Sequence, residues 1–269
     1  RAFIGQMGMI GDIISGFSEN IDEKISLRKI DEATIIDEFE RKNINIRKLI
    51  TATDVNGRKQ IFIEAKTTRG KIMTSREAAR IAGEVLRKPY RVNCYSKGVI
   101  GKEYNVIVIE EDDNFGVSVG MSFGVKQGEE ISGDNGNIIS LDNGKTAMIL
   151  SDGMGSGPIA AMESEAIVDS IGGLLESGFS KELAVNMLNA MVSFRSQGNR
   201  FTTLDLCVID LYCARAEFIK LGASTTFIKR NDWIETIAST SLPVGTVENA
   251  KIDSSDKKLY NGDFVIMVS

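Results

Sequence analysis

Met148-Ile149-Leu150-Ser151-Asp152-Gly153-Met154-Gly155-Ser156-Gly157 runs an apolar strand straight into a glycine-rich turn, and a helix is expected from Pro158 onward. A carboxylate at the mouth of a strand is aimed from a rigid support, which makes Asp152 a candidate for chemistry. Upstream, Ser132-Gly133-Asp134-Asn135-Gly136 sets a second aspartate among glycines, where the backbone can bring carbonyls and a carboxylate toward one point. An ordinary turn uses the same residues, so Asp134 is weak evidence alone. The Gly153, Gly155, Gly157 spacing invites a nucleotide-loop reading. It lacks a Gly-Lys-Ser/Thr ending and does not fit Gly-x-Gly-x-x-Gly.

The 269 residues include no histidine. Acid–base and nucleophilic schemes that need imidazole are closed, as are zinc sites built on histidine. Aspartate oxygens and backbone carbonyls suit Mg²⁺ or Mn²⁺, which keep several waters, one of which can be made nucleophilic. Hydrolysis by metal-activated water is the chemistry these residues point to. A net charge of −5 without a basic block argues against a nucleic-acid surface. Cys94, Cys207 and Cys213 form an odd set without framework spacing, as expected of reduced thiols in a cytosolic protein. No apolar run approaches the ~20 residues of a membrane helix, and no signal peptide is evident, so no membrane contact is expected here. The first residue is Arg1 rather than Met, so a piece of a longer protein is expected.

Met7, Ile10, Ile14, Phe17 and Ile21 form an a/d seam, which fits a coiled coil between copies or a helix docked on its own domain. A second helix is expected over 32–42. Strands over 49–54 and 59–65 flank Asn56-Gly57, the favoured pair for a tight hairpin. Thr74-Ser75-Arg76-Glu77 reads as a capping box opening a helix that Pro89 stops, and strands follow over 90–95 and 104–110. Beyond Asp112-Asp113-Asn114 come an alternating strand over 115–125 and the strand into Asp152. Helices over 158–177 and 181–194 follow, the latter capped by Ser180, and then strands over 203–212, 216–221, 225–230, 233–238 and 264–269. Helices with apolar residues around much of their girth must be covered on more than one side. Strands, a helix pair, then strands without βαβ alternation predict an α+β sandwich of mainly antiparallel sheets. The expected organisation is a helical linker or dimerisation segment (1–44), a small α/β regulatory subdomain (45–114) and a layered domain (115–269).

Asp205 is the third candidate. Within Leu204-Asp205-Leu206-Cys207-Val208-Ile209 a carboxylate between apolar strand neighbours is costly to bury unless a cation or hydrogen bonds meet it. A metal, a Lys or Arg partner, or an open sheet face would each satisfy it.

Six motifs occur in one order: Ser132-Gly133-Asp134, the Ser151–Gly157 turn, Thr203-Leu204-Asp205-Leu206, Gly222-Ala223-Ser224, Leu242-Pro243-Val244-Gly245 and Gly262–Ser269. Together, from about Val117 to Ser269, they resemble the phosphatase domain of the stage II sporulation protein E family. That family is a bacterial branch of the metal-dependent (type 2C, PPM) serine/threonine phosphatases. More loosely, the preceding segment resembles its regulatory region. The resemblance implies a PPM-type αββα sandwich with two Mn²⁺ or Mg²⁺ ions between the sheets. Asp152 matches the bridging aspartate, Gly153 the carbonyl ligand, Asp134 the glycine-aspartate acid and Asp205 the acidic residue of the third motif. It further implies attack of activated water on phosphoserine without a phosphoenzyme. The implied substrate is a phosphorylated, small STAS-type anti-sigma-factor antagonist, whose dephosphorylation controls sporulation sigma-factor activation. A homodimer assembled through the helices after Asp152, and a parent anchored on the cytoplasmic face of a membrane, are also implied.

One departure stands out. After a strand such as 264–269 the family places a further Asp-Gly and later a last aspartate, whereas this sequence stops at Ser269. These residues alone are therefore expected to be inactive or nearly so, with an incomplete centre. The alternative is a non-catalytic, dimerising or partner-binding platform with a phosphatase-like fold.

Overall fold

Two units, Arg1–Asp113 and Asn114–Ser269, divide the chain in a computed structural model that describes residues 27–269 except 55, 71, 126, 143, 196–200 and 248–251. The Met7–Ile21 seam lies outside the described residues.

In the first unit, α1 (Lys29–Arg41) is followed by β1 (Ile44–Thr53), β2 (Lys59–Thr67), β3 (Met73–Thr74) and α2 (Ser75–Leu86). β4 (Tyr90–Val92), β5 (Val99–Ile100) and β6 (Asn105–Glu111) complete it. The larger sheet has the order β1-β2-β6-β4, with every ladder antiparallel. Ile35 and Phe39 of α1, Ile81 of α2, and Ile61, Ile63, Ile107 and Ile109 of the sheet share one buried cluster. Alternation along β2 and β6 sends every second residue into it, both isoleucines of each strand included. The N-cap half of the capping box forms: Thr74 Oγ1 accepts from Glu77 N at 3.2 Å, while Glu77 Oε1 accepts from Lys42 at 3.0 Å.

The same unit buries a charge network. Arg58 donates to Glu110 at 3.2 Å and to Asp113 at 2.8 Å, and Arg91 donates to the same two acids at 2.9 and 3.0 Å. Removing one partner leaves a buried charge uncompensated, at a cost of several kcal/mol. Arg58→Met is therefore expected to lower unfolding stability by about 3 kcal/mol, measured by urea denaturation. A loss below ~1 kcal/mol would show the network to be solvated.

The second unit begins with the hairpin β7 (Asp134–Leu141) and β8 (Lys145–Asp152), followed by α3 (Pro158–Glu176) and α4 (Lys181–Arg195). Then come β9 (Leu204–Asp210), β10 (Arg215–Leu221), β11 (Thr226–Lys229), β12 (Ile234–Ile237), β13 (Asp253–Lys258) and β14 (Phe264–Ile266). One sheet has the order β13-β10-β9-β8-β7, the other β12-β11-β14, and all ladders are antiparallel. The helix pair covers one face of the larger sheet: Ile167, Ile171, Val185 and Leu188 pack with Ile149, Leu206, Val208 and Ile219. The other face meets the smaller sheet through Cys207, Ile209, Phe218, Ile228 and Ile237. Residues 206, 208 and 207, 209 thus serve opposite layers, as period-two alternation requires. The layered, antiparallel α+β architecture expected from the sequence is present.

Two expectations need correction. No ladder includes residues 115–125; Phe115, Val117, Met121 and Phe123 instead line a cleft of about 760 Å³. Alternating large and small residues define a face, but a strand also needs a backbone partner, and no strand among the described residues supplies one. Conversely, Asp134, expected in a turn, opens β7. Among the described residues no helix is long and apolar enough to cross a membrane.

Candidate active site

In the β7–β8 hairpin the register runs from Leu141 opposite Lys145 to Asp134 opposite Asp152. The spacing of the two aspartates is therefore that of a hairpin's open end. Directly opposed residues lie ~4.5–5.5 Å apart at Cα, and like charges so placed repel. Burial, then the charge of Asp134 and a hydrogen bond shared with it, push the Asp152 carboxyl up to about 6. Its backbone is held from the next strand: Asp152 N donates to Thr203 Oγ1 at 2.9 Å, and Thr203 N donates to Asp152 O at 3.0 Å.

Two further elements close on the pair. Ser269 Oγ, three residues beyond β14, donates to Asp134 Oδ2 at 3.0 Å. On the other side α3 docks tightly, because Ser164 Oγ donates to Gly133 O at 2.6 Å and Asn135 Nδ2 donates to Ala161 O at 2.9 Å. A Cβ at Gly153 would lie 2.2 Å from Ala160 O, so only glycine lets the strand end and the helix approach this closely. At the start of α3, Glu129 accepts from Ser156 Oγ at 2.7 Å and lies against Gly157. The anion-favouring helix end thus already faces a carboxylate of this chain, which speaks against the nucleotide reading.

Asp205 stands apart from this pair. It lies opposite Leu150 on β8 and opposite Lys220 on β10. Lys220 Nζ donates to its Oδ2 at 2.5 Å, and Thr226 Oγ1 donates to the same oxygen at 2.8 Å. Burial pushes this carboxyl up, while Lys220 and Thr226 pull it down. Of the candidates, then, Asp134, Asp152 and the adjoining Gly153 converge, and Asp205 is engaged by an internal ammonium. Sequence reasoning did not pick out Thr203, Ser164 and Asn135; no pattern marks polar residues whose role is to hold a backbone. Ser269 carried a signal, since Ile266-Met267-Val268-Ser269 echoes Ile149-Leu150-Ser151 before Asp152.

Among the described residues no group of three or more acidic, cysteine or histidine side chains gathers as a cation site. Two opposed carboxylates still fit a hard cation. Their mutual repulsion falls when positive charge arrives, and oxygen donors are what Mg²⁺ and Mn²⁺ take.

Residues 142–269 match the family model for Stage II sporulation protein E (SpoIIE). Stage II sporulation protein E of Bacillus subtilis (strain 168) is 26% identical over 272 residues, which cover 100% of this chain and 32% of that protein. Its Priestia megaterium counterpart is 35% identical over 125 residues, 46% of this chain and 21% of the relative. The chain thus spans no more than about a third of either relative's length. A solved structure of the PP2C phosphatase domain and a fragment of the regulatory domain of SpoIIE from Bacillus subtilis superposes with a TM-score of 0.59 at 26% identity. That match covers 99% of this chain and 77% of the solved one. The resemblance carried by the six motifs is borne out: this chain has the PP2C phosphatase fold, and its residues 142–269 match the stage II sporulation protein E family model.

Proposed function

We propose that the protein to which this chain belongs is a metal-dependent protein serine phosphatase, acting on phosphoserine without a phosphoenzyme. The observation that carries this reading is the opposed pair Asp134–Asp152 at the open end of one hairpin, with Asp152 pushed up to about 6. Asp134, Asp152 and the Gly153 carbonyl are the groups that would hold Mn²⁺ or Mg²⁺, and two ions are expected in the complete domain. When bound, such a cation supplies a water acidic enough to attack phosphorus near neutral pH, and positive charge facing the phosphoryl oxygens. The chain's own residues do the positioning. Thr203 fixes the Asp152 backbone, Ser132 and Ser269 contact Asp134, and α3 braces the Gly133–Asn135 segment through Ser164 and Asn135.

We further infer that the phosphoserine is borne by a small STAS-type anti-sigma-factor antagonist, so that hydrolysis controls sporulation sigma-factor activation. The match of residues 142–269 to the family model supports this reading. A homodimer belongs to the same reading, supported by Ile159 and Met162 on α3, which are 55% and 68% exposed. The test is Mn²⁺-dependent phosphate release by the complete protein, comparing the phosphorylated antagonist with an unrelated phosphoserine protein. Equal rates would remove the substrate assignment, and no release would favour the platform. Residues 1–269 alone are expected to release phosphate at a small fraction of the complete protein's rate, because two carboxylates are few to offset the dehydration of two ions. A rate equal to that of the complete protein would show the described site to be sufficient.

A further inference from the structure

Asp205 and Lys220 are each 1% exposed. Burying two charges is costly, and the pair persists only with further hydrogen bonds. Lys220 Nζ finds one in Ser224 O at 2.7 Å, and Ser241 Oγ donates to Lys220 O at 2.6 Å. Asp205 Oδ2 receives both Lys220 and Thr226, while its buried Oδ1 has no hydrogen-bond partner. The contacts join different layers. Asp205 and Lys220 sit on β9 and β10 of the larger sheet, whereas Thr226 opens β11 of the smaller one. From β11 the ladder passes to β14 with Phe227 opposite Ile266, and three residues later Ser269 reaches Asp134.

We propose that the Asp205–Lys220 pair is a register pin between the two sheets, a positioning element for the carboxylate site and not one of its metal ligands. By holding Thr226 it sets the height of β11, and through the β11–β14 ladder it sets where Ser269 meets Asp134. A divalent cation on the remaining oxygen of Asp205 would have to sit close to the Lys220 ammonium, 2.5 Å from Oδ2, where both residues are buried and their repulsion is poorly screened. The inference rests on the phosphatase reading for its effect on turnover, but not for its effect on stability or cation affinity.

The experiment uses the complete protein and four variants. Thr226→Val removes the inter-sheet hydrogen bond at nearly constant volume. It is expected to lower kcat about tenfold, with KM for the phosphoserine protein and calorimetric Mn²⁺ affinity within about threefold of wild type. Thr226→Ser should restore kcat. Lys220→Met alone strands the Asp205 carboxylate and should lower the melting temperature more than the double variant Asp205→Leu with Lys220→Met does. The double variant should bind Mn²⁺ within about threefold of wild type. A loss of Mn²⁺ affinity beyond about tenfold in the double variant would make Asp205 a ligand and overturn the proposal. So would a double variant that melts lower than Lys220→Met, or a Thr226→Val enzyme with unchanged kcat. Wild-type protein without Mn²⁺-dependent turnover would instead remove the phosphatase reading, and the melting and affinity measurements would still decide the pin.

Discussion

Asp152→Asn in the complete protein is expected to reduce Mn²⁺-dependent phosphate release by about 1,000-fold or more, because a neutral amide cannot supply the anionic oxygens that would hold a hard cation. The same change should make the metal-free protein more stable at pH 7. The folded protein holds a proton on Asp152 up to about pH 6, against an ordinary 3.8. A carboxyl raised in this way contributes its stability fully below about pH 4, and loses it as pH rises through about 6. In metal-free wild type, stability should therefore fall across that window, and in Asp152→Asn it should stay flatter. At full weight the shift is worth ~3 kcal/mol, but the site opens to solvent, so about 1 kcal/mol is the screened expectation. Thermal melts in chelator at pH 4 and pH 7 measure it. A variant that loses turnover and also melts lower than wild type at pH 7 would show that Asp152 is a structural residue.

The second large effect is expected at Gly153. An alanine there would place Cβ 2.2 Å from Ala160 O and 2.9 Å from Ala160 C, both backbone atoms that cannot rotate away. Either α3 or the end of β8 must move by about an ångström, and a misplacement of that size near reacting groups costs ~100-fold in rate. Stability should fall by ~3 kcal/mol, the upper range for an overpacked contact. Gly173, also in α3, is the control: a Cβ there meets nothing within 4 Å, so Gly173→Ala should be neutral or stabilise by ~0.5–1 kcal/mol. Equal effects at the two glycines, by urea denaturation and phosphate release, would dismiss the close approach.

The layer order was legible because it rests on patterning that tertiary contacts do not reverse. α3 and α4 carry apolar residues that must be covered, and the strands of 204–221 alternate between two faces. Asp134 misled for a specific reason. Gly133, Asn135 and Gly136 are turn formers, yet a Cβ at Gly136 would lie 3.0 Å from Ile149 O, so glycine there serves close strand approach. β13, Asp-Ser-Ser-Asp-Lys-Lys, was unreadable as a strand because it is polar and, among the described residues, a sheet edge paired with β10 alone. Residues 115–125 show the reverse, a strand pattern without a strand. Asp205 was read as a buried charge in need of a cation; that the cation is Lys220 emerges only once the β9–β10 register is known.

The β7–β8 hairpin also dictates an order of events in time. Closing so short a loop takes microseconds, and its contacts are local in sequence. The β11–β14 ladder, by contrast, spans β12 and β13 and must wait for loop closure at greater entropic cost. During synthesis the two carboxylates thus become neighbours while Phe264–Ser269 is still unmade. A hairpin formed at that stage would carry opposed like charges, with nothing from the second sheet beside them. A divalent cation between them would offset that repulsion, so refolding in Mn²⁺ is expected to be faster than refolding in chelator, read by stopped-flow mixing.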